Sequence, residues 1–318
     1  MNLNEEAVII EIFGVRMYAF GACVAAGALC AAAVLFVLSK VLKLKKGTAE
    51  LTALLSALCG LVCSRLAFCL LNQELGRMTP VEVWPQISGG GWSMAGLIGG
   101  VFLGGWISAR IMKEKTGRIL DTLSLSVLPL IAAERFAESR IEEFDISRAL
   151  DSDFLKNSFL AVGEDEPCLA TYYLAAAAAL ILFFILLAMF FRRPEDGELT
   201  IRFLLLFGAV SIILESLRYD FFLSISFVGL QQVAAALALA LGVVLAARRG
   251  NRPKSGIAAA AYISLPLMVG ILVGLEFALD RTTWNKILIY AGMIVTVAVP
   301  AALGMIMLKQ KEKGSPAT

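Results

Sequence analysis

Long apolar runs succeed one another along the chain, at roughly 17–39, 50–71, 93–112, 119–134, 168–191, 199–217, 227–247, 256–278 and 284–308. Runs of about 20 residues match the length of helix needed to cross the hydrocarbon core of a bilayer. Within lipid a backbone has no water to bond to, so a chain of such runs folds as helices that satisfy their own hydrogen bonds. Composition agrees: 59% of the 318 residues are hydrophobic, against about 45–50% apolar in a soluble domain. The sequence predicts an all-α polytopic membrane protein, a helical bundle of about nine transmembrane helices. The fourth run is short and ends in polar residues, which predicts a helix that finishes in a protein-lined cavity rather than in lipid.

Lysine and arginine set the expected orientation. Lys40, Lys43, Lys45 and Lys46, then Arg110, Lys113, Lys115 and Arg118, then Arg192, Arg193 and Arg202, then Arg248, Arg249, Arg252 and Lys254, and finally Lys309, Lys311 and Lys313 all fall on one side. The other side collects Glu138, Glu142, Glu143, Asp145, Asp151, Asp153, Glu164, Asp165 and Glu166. This places the N-terminus outside, the C-terminus in the cytoplasm, and the long polar loop Arg135–Pro167 outside. The tail Lys309–Thr318 reads as a solvated end. The acidic start (Glu5, Glu6, Glu11) is unlike the basic n-region of a cleavable signal. Cys59 and Cys63 lie one helical turn apart, but the chain has no histidine to complete a metal set, so the cysteines read as small helix packers.

Charges inside spans are the functional signal, because an ion at the bilayer centre costs about 2.5–3.5 kcal/mol on insertion scales. Arg65 lies deep in the second run, Glu134 and Arg135 end the fourth, and Glu215 and Arg218 share a helix face at i, i+3 near the outer end of the sixth. Tyr18 and Gln232 add hydrogen-bonding groups near the outer ends of the first and seventh. One reading ties helices together by pairing Arg65 with Glu215 or Glu134. As a set, these residues instead predict a polar cavity open to the outer face. Arginine's planar fork suits a phosphate, so the ligand expected there is an anionic phospholipid headgroup. Gly96, Gly100 and Gly104 recur every fourth residue, as closely approaching helices require; Gly89, Gly90 and Gly91 precede that helix.

In this order the segments resemble the prolipoprotein diacylglyceryl transferases, from about Val15 to Arg249. "GVRMYAFGACVAAG" resembles the first-span segment with the family's essential tyrosine, here Tyr18. "CSRLAFCLL" resembles the second-span stretch that supplies Arg65, and "GGGWSMAGLIGG" the glycine-rich entry to the third. Asp121 precedes Arg135 at the family's spacing. The signature Gly-Arg-x-Gly-Asn-Phe reads here Glu134-Arg135-Phe136-Ala137-Glu138-Ser139, with Glu143 at a glutamate position. "GELTIRFLLLFGAVSIILESLR" resembles the sixth-span segment, giving Glu215 and Arg218, and Gln232 matches a glutamine at the start of the seventh. Met94 stands where the family commonly has histidine or tyrosine, and Ser211 where an arginine is common.

The resemblance implies transfer of diacylglyceryl from phosphatidylglycerol to a prolipoprotein cysteine at the outer face of the bacterial cytoplasmic (inner) membrane. It implies Arg135, Glu143 and Tyr18 as catalytic residues and Arg65, Arg218, Glu215 and Gln232 as substrate-binding residues. The expected partners are a phosphatidylglycerol-like phospholipid and a lipoprotein precursor peptide, with no nucleic acid, cofactor or metal. The expected organisation is a transferase-like membrane domain over 1–250, followed by two additional helices and a basic tail over 251–318. Glu134 and Glu138 flank Arg135 and would repel a lipid phosphate if they face the cavity. They favour the alternative, a non-catalytic phospholipid-binding or membrane-assembly paralogue on the same scaffold. A small-solute transporter would also use intramembrane charges, but the chain lacks paired half-repeats.

Overall fold

A computed structural model describes residues 8–12, 15–71, 92–140, 150, 156–163, 167–218, 224–225, 228–249, 255–282 and 284–314. Among them run nine long helices: α1 (Ala19–Val41), α2 (Thr48–Leu71), α3 (Met94–Met112), α4 (Thr116–Ala137), α5 (Thr171–Phe190), α6 (Glu198–Ser216), α7 (Leu230–Arg249), α8 (Ser255–Arg281) and α9 (Lys286–Gly314). Each answers one apolar run of the sequence. All but α4 are long and apolar enough to cross a membrane, and the architecture is that of a polytopic helical membrane protein.

The exception is instructive. Most of α4 is buried, including Asp121, Thr122, Ser124 and Ser126. Its hydroxyls bond within the helix: Thr122 to the Ile119 carbonyl at 2.7 Å, Ser124 to Leu120 at 2.8 Å and Ser126 to Thr122 at 2.6 Å. Self-satisfied hydroxyls can be buried without an outside partner. The least apolar helix is therefore wrapped by protein, packing against α1, α3 and α5.

The chain divides into two compact units, Met1–Gly197 with Leu217–Leu230, and Glu198–Ser216 with Gln231–Thr318. In the first, α2 and α3 approach to backbone contact. A Cβ added at Gly96, Gly100 or Gly104 would fall on the carbonyl oxygens of Cys63, Cys59 and Leu55 respectively. Thr52 and Ser108 share a hydrogen bond of 2.7 Å across this pair, and Ser56 donates to the Val101 carbonyl at 3.0 Å. Gly27 of α1 packs in the same manner against Leu130 and Ala133 of α4.

Three basic loops of this unit meet at one end. Helices α1 and α5 each run into a left-handed basic residue, Lys43 (φ 52°) and Arg193 (φ 54°), and each loop closes on a glycine, Gly47 (φ 84°) or Gly197 (φ 86°). Between them lies the α3–α4 turn, with Lys113 (φ 52°) also left-handed. Lys45 Nζ donates to the carbonyls of Met112 and Lys113 at 3.0 and 2.8 Å, supplying the cation that the end of α3 favours. On the other flank Asp196 accepts from Arg118 at 3.0 Å and pairs with Lys115 at 2.9 Å. The Asp121 carboxylate accepts from the Gly197 backbone N–H at 2.6 Å. Alternating spans require these three loops to lie at the same end.

In the second unit, α6 to α9 enclose a core that includes Leu205, Ile212, Leu239, Val243, Met268, Met293 and Met307. Gly208 admits the backbone of α7 at Ala235 and Leu239, and Gly304 of α9 receives the Leu205 side chain.

Three local features add to the sequence reading. β1 (Val8–Ile12) and β2 (Val15–Tyr18) pair antiparallel, with Glu11 opposite Arg16, and the first helix begins at Ala19. The predicted tail continues as helix to Gly314. The polar loop after α4 opens with a 3-10 turn, Glu138–Arg140, and holds a short pairing of β3 (Ala161–Val162) with β4 (Cys168–Leu169).

Candidate functional site

The last turn of α4 carries Glu134 and Arg135, and Glu138 opens the following 3-10 turn. A cation here is favoured by the negative end of the helix dipole, and a carboxylate is disfavoured. Glu138 is nevertheless almost fully buried, at 3% exposure. Arg135 Nη1 donates to Glu138 Oε1 at 2.7 Å. Arg218 Nη1 donates to Glu138 Oε2 at 3.0 Å and to Oε1 at 3.3 Å. Glu134 Oε2 lies 3.6 Å from Arg135 Nε. One carboxylate thus joins two guanidiniums, and each side chain is below 10% exposed. Desolvating any one of these ions alone costs several kcal/mol, and only mutual pairing with good hydrogen bonds offsets that cost.

Arg218 reaches this point because α6 ends at Ser216. The sequence reading put Glu215 and Arg218 on one helix face, and this is corrected. Arg218 lies two residues past the helix end, where the chain has left the helical path to meet Glu138. Glu215 belongs to the second unit.

Arg65 is buried in another setting, its guanidinium 5.6 Å from the Phe68 ring centroid and 5.7 Å from that of Trp92, within cation–π range. The neighbouring α2–α3 contact is fixed by Ser64 and Ser93. Ser64 Oγ donates to the Ser93 carbonyl at 2.8 Å and accepts from its N–H at 2.9 Å. Ser93 then caps α3 by accepting from the Gly96 N–H. Met94, where the resemblance expects histidine or tyrosine, is buried at the first position of α3. Tyr18 is the N-cap residue of α1 and the last residue of β2, partly buried, rather than a residue within the span. Gln232, in the second unit, donates from Nε2 to Glu276 Oε1 of α8 at 3.0 Å. Glu143 and Gly89, Gly90 and Gly91 lie outside the described residues.

Of the residues expected at the site, the structure brings Arg135 and Arg218 together. The sequence places Glu138 beside Arg135 but does not show that its carboxylate also joins Arg218. The i, i+3 spacing of Arg135 and Glu138 was a signal for the first pair; nothing local announced the second. Beside the cluster, Phe136 lies 6.0 Å from the Tyr173 ring and Tyr172 packs edge-on to Tyr173 at 4.6 Å, lining the start of α5 with aromatics.

A family model for prolipoprotein diacylglyceryl transferases matches residues 7–248. The chain belongs to that family. No curated protein matches it. The diacylglyceryl transferase match runs through α1–α6 and almost all of α7, and ends before α8 and α9. A family whose reaction is diacylglyceryl transfer to prolipoproteins accounts for a lipid-embedded bundle with arginines at a helix end. Within this transferase scaffold, Asp121 and Arg135 occupy opposite ends of α4. Fourteen residues at about 1.5 Å each separate them by roughly 21 Å. Asp121 holds the loop at Gly197, and Arg135 belongs to the charged cluster.

Proposed function

We propose that this transferase moves a diacylglyceryl group from phosphatidylglycerol to the cysteine thiol of a prolipoprotein at the outer face of the bacterial cytoplasmic membrane. The observation that carries this reading is the convergence of Arg135 and Arg218 on the two oxygens of one carboxylate. Two guanidiniums spaced for a carboxylate are also spaced for two oxygens of a lipid phosphodiester.

In the step proposed, the cysteine sulfur attacks the terminal glycerol carbon of the diacylglyceryl moiety. A C–S bond forms and the C–O bond to phosphorus breaks. Glycerol phosphate leaves with the bonding electron pair, and the thiol proton passes to a base. Arg135 and Arg218 stabilise charge on the departing phosphate, a preorganised electrostatic contribution. Tyr18 hydrogen-bonds the headgroup, and Glu143 acts as base or orients the thiol; both roles follow the family pattern. Arg65, Glu215 and Gln232 are assigned to substrate binding by the same family pattern. A free thiol ionises near pH 8.5, so forming thiolate at neutral pH costs about 2 kcal/mol, within what a general base supplies. Residues 1–250 make up the transferase-like region on this reading, and α8 and α9, which share a core with α6 and α7, are additional helices.

The test is direct. Purified protein, phosphatidylglycerol and a peptide with a lipoprotein cleavage motif should yield a peptide heavier by one diacylglyceryl group, joined by a thioether. No such product, under conditions where another family member makes it, would end the reading for that acceptor.

One observation favours a second reading. Glu138 already fills the arginine pair, as suits a non-catalytic phospholipid-binding or membrane-assembly paralogue. In that case Arg135→Ala alters lipid co-purification and there is no turnover to lose.

A further inference from the structure

The Glu138 carboxylate sits where the two arginines would hold a ligand anion. Its two oxygens take hydrogen bonds from Arg135 and Arg218 at 2.7 and 3.0 Å, and at 3% exposure it has little water to retreat into. A phosphate and this carboxylate cannot both occupy the same donors. Glu134, 3.6 Å from Arg135 Nε, adds a second negative charge beside the first arginine. An incoming anion must therefore displace one carboxylate and approach another.

We propose that Glu138 is a specificity-determining residue, a resident counter-ion that competes with the lipid phosphate for Arg135 and Arg218 and so sets the affinity of the site for anionic headgroups. This rests on the reading that those arginines grip the donor phosphate. In the empty site Glu138 bridges two buried guanidiniums and, with Glu134, balances their charge. When phosphate binds it swings off the donors, and when glycerol phosphate departs it returns to them, opposing product retention. Glu138 stands three residues after Arg135, in the turn that follows a buried helix.

The experiment compares native protein with Glu138→Gln in phosphatidylcholine nanodiscs doped with phosphatidylglycerol, lipid retention being read by native mass spectrometry. The glutamine variant should retain phosphatidylglycerol about tenfold more tightly, because one charge-assisted competitor has been removed, with phosphatidylcholine, whose phosphate is offset by its own choline cation, tightening less. A second arm adds inorganic phosphate to both proteins in phosphatidylcholine alone and follows thermal unfolding. Greater stabilisation of the variant there extends the competition to free phosphate, whereas an effect of phosphatidylglycerol alone assigns it to the lipid headgroup. Equal phosphatidylglycerol retention in the two proteins overturns the proposal, as does equal tightening for both lipids. If Glu138→Gln does not fold, Glu138→Asp decides: its shorter carboxylate should compete less well, and unchanged phosphatidylglycerol retention overturns the proposal. The readout does not depend on turnover. Tighter retention with no thioether product would remove the transferase reading and leave the counter-ion; normal product with unchanged retention would do the reverse.

Discussion

Arg218 meets Glu138 across eighty residues of sequence, with both carboxylate oxygens within 3.3 Å of one guanidinium nitrogen. Because Arg135 uses the same carboxylate, the three charges act as one unit. Glu138→Ala leaves two buried cations facing each other, and we expect it to cost on the order of 3–5 kcal/mol of stability. Adding Arg218→Ala should recover part of that loss. A double-mutant cycle on unfolding in detergent would read a coupling of roughly 0.5–3 kcal/mol; additive losses would mean that the pair does not form.

Arg135→Lys keeps the charge and removes the planar fork. A point charge cannot hold two phosphate oxygens in parallel, so transfer should fall by about 10²-fold while the protein stays folded. Single-turnover rates, with retained helical circular dichroism as the control, would show this.

Gly100 and Gly99 are neighbours with opposite surroundings. A methyl group at Gly100 runs into the Cys59 backbone, and one at Gly99 meets nothing within 4 Å. Gly100→Ala should therefore destabilise by about 1–3 kcal/mol. Gly99→Ala should be neutral or stabilising, since alanine favours the helix by up to about 1 kcal/mol. Thermal unfolding of the two variants tests the contrast.

Asp121→Ala removes the acceptor for the Gly197 N–H and should cost about 1–3 kcal/mol. Its end of α4 is remote from Arg135, so phosphatidylglycerol retention by the folded variant should not change. A parallel fall in lipid binding would mean that the two ends are coupled.

Asp196 gives a pH dependence. Burial raises its pKa, but hydrogen bonds and charge from Lys115 and Arg118 outweigh that, and the folded value lies below the ordinary 3.8. Its stabilisation is full above the unfolded value and is lost as pH falls through the folded one. The carboxylate is a third exposed, so the contribution is small, about 0–1 kcal/mol. Asp196→Asn should lower stability at neutral pH and flatten its acid dependence, which unfolding midpoints across the acidic range would measure.

The helices are legible because each apolar run carries its own structure within lipid, and their observed ends fall within about three residues of the sequence reading, the C-terminal end of α9 excepted. Helix α4 was legible in a subtler way, its polar end and short apolar stretch marking it as protein-enclosed. Local pattern failed where a partner lay far off in sequence. Leu217 and Arg218 carry no stop signal, yet the helix ends at Ser216 and Arg218 lies against Glu138. The pairing of β1 with β2 is not legible for a related reason, since β2 merges into the apolar run that begins at 17. Gly96, Gly100 and Gly104 were read correctly because a four-residue stripe has one strong explanation in a membrane helix, close packing.

Those glycines also decide how a substrate can travel. Where α2 and α3 touch main chain to main chain, the seam is closed to an acyl tail. A diacylglycerol backbone with two such tails cannot slip between them without parting the serine and threonine bonds that cross it. Lateral entry of a lipid from the bilayer must use another gap, leaving α2 and α3 a closed wall of the transferase.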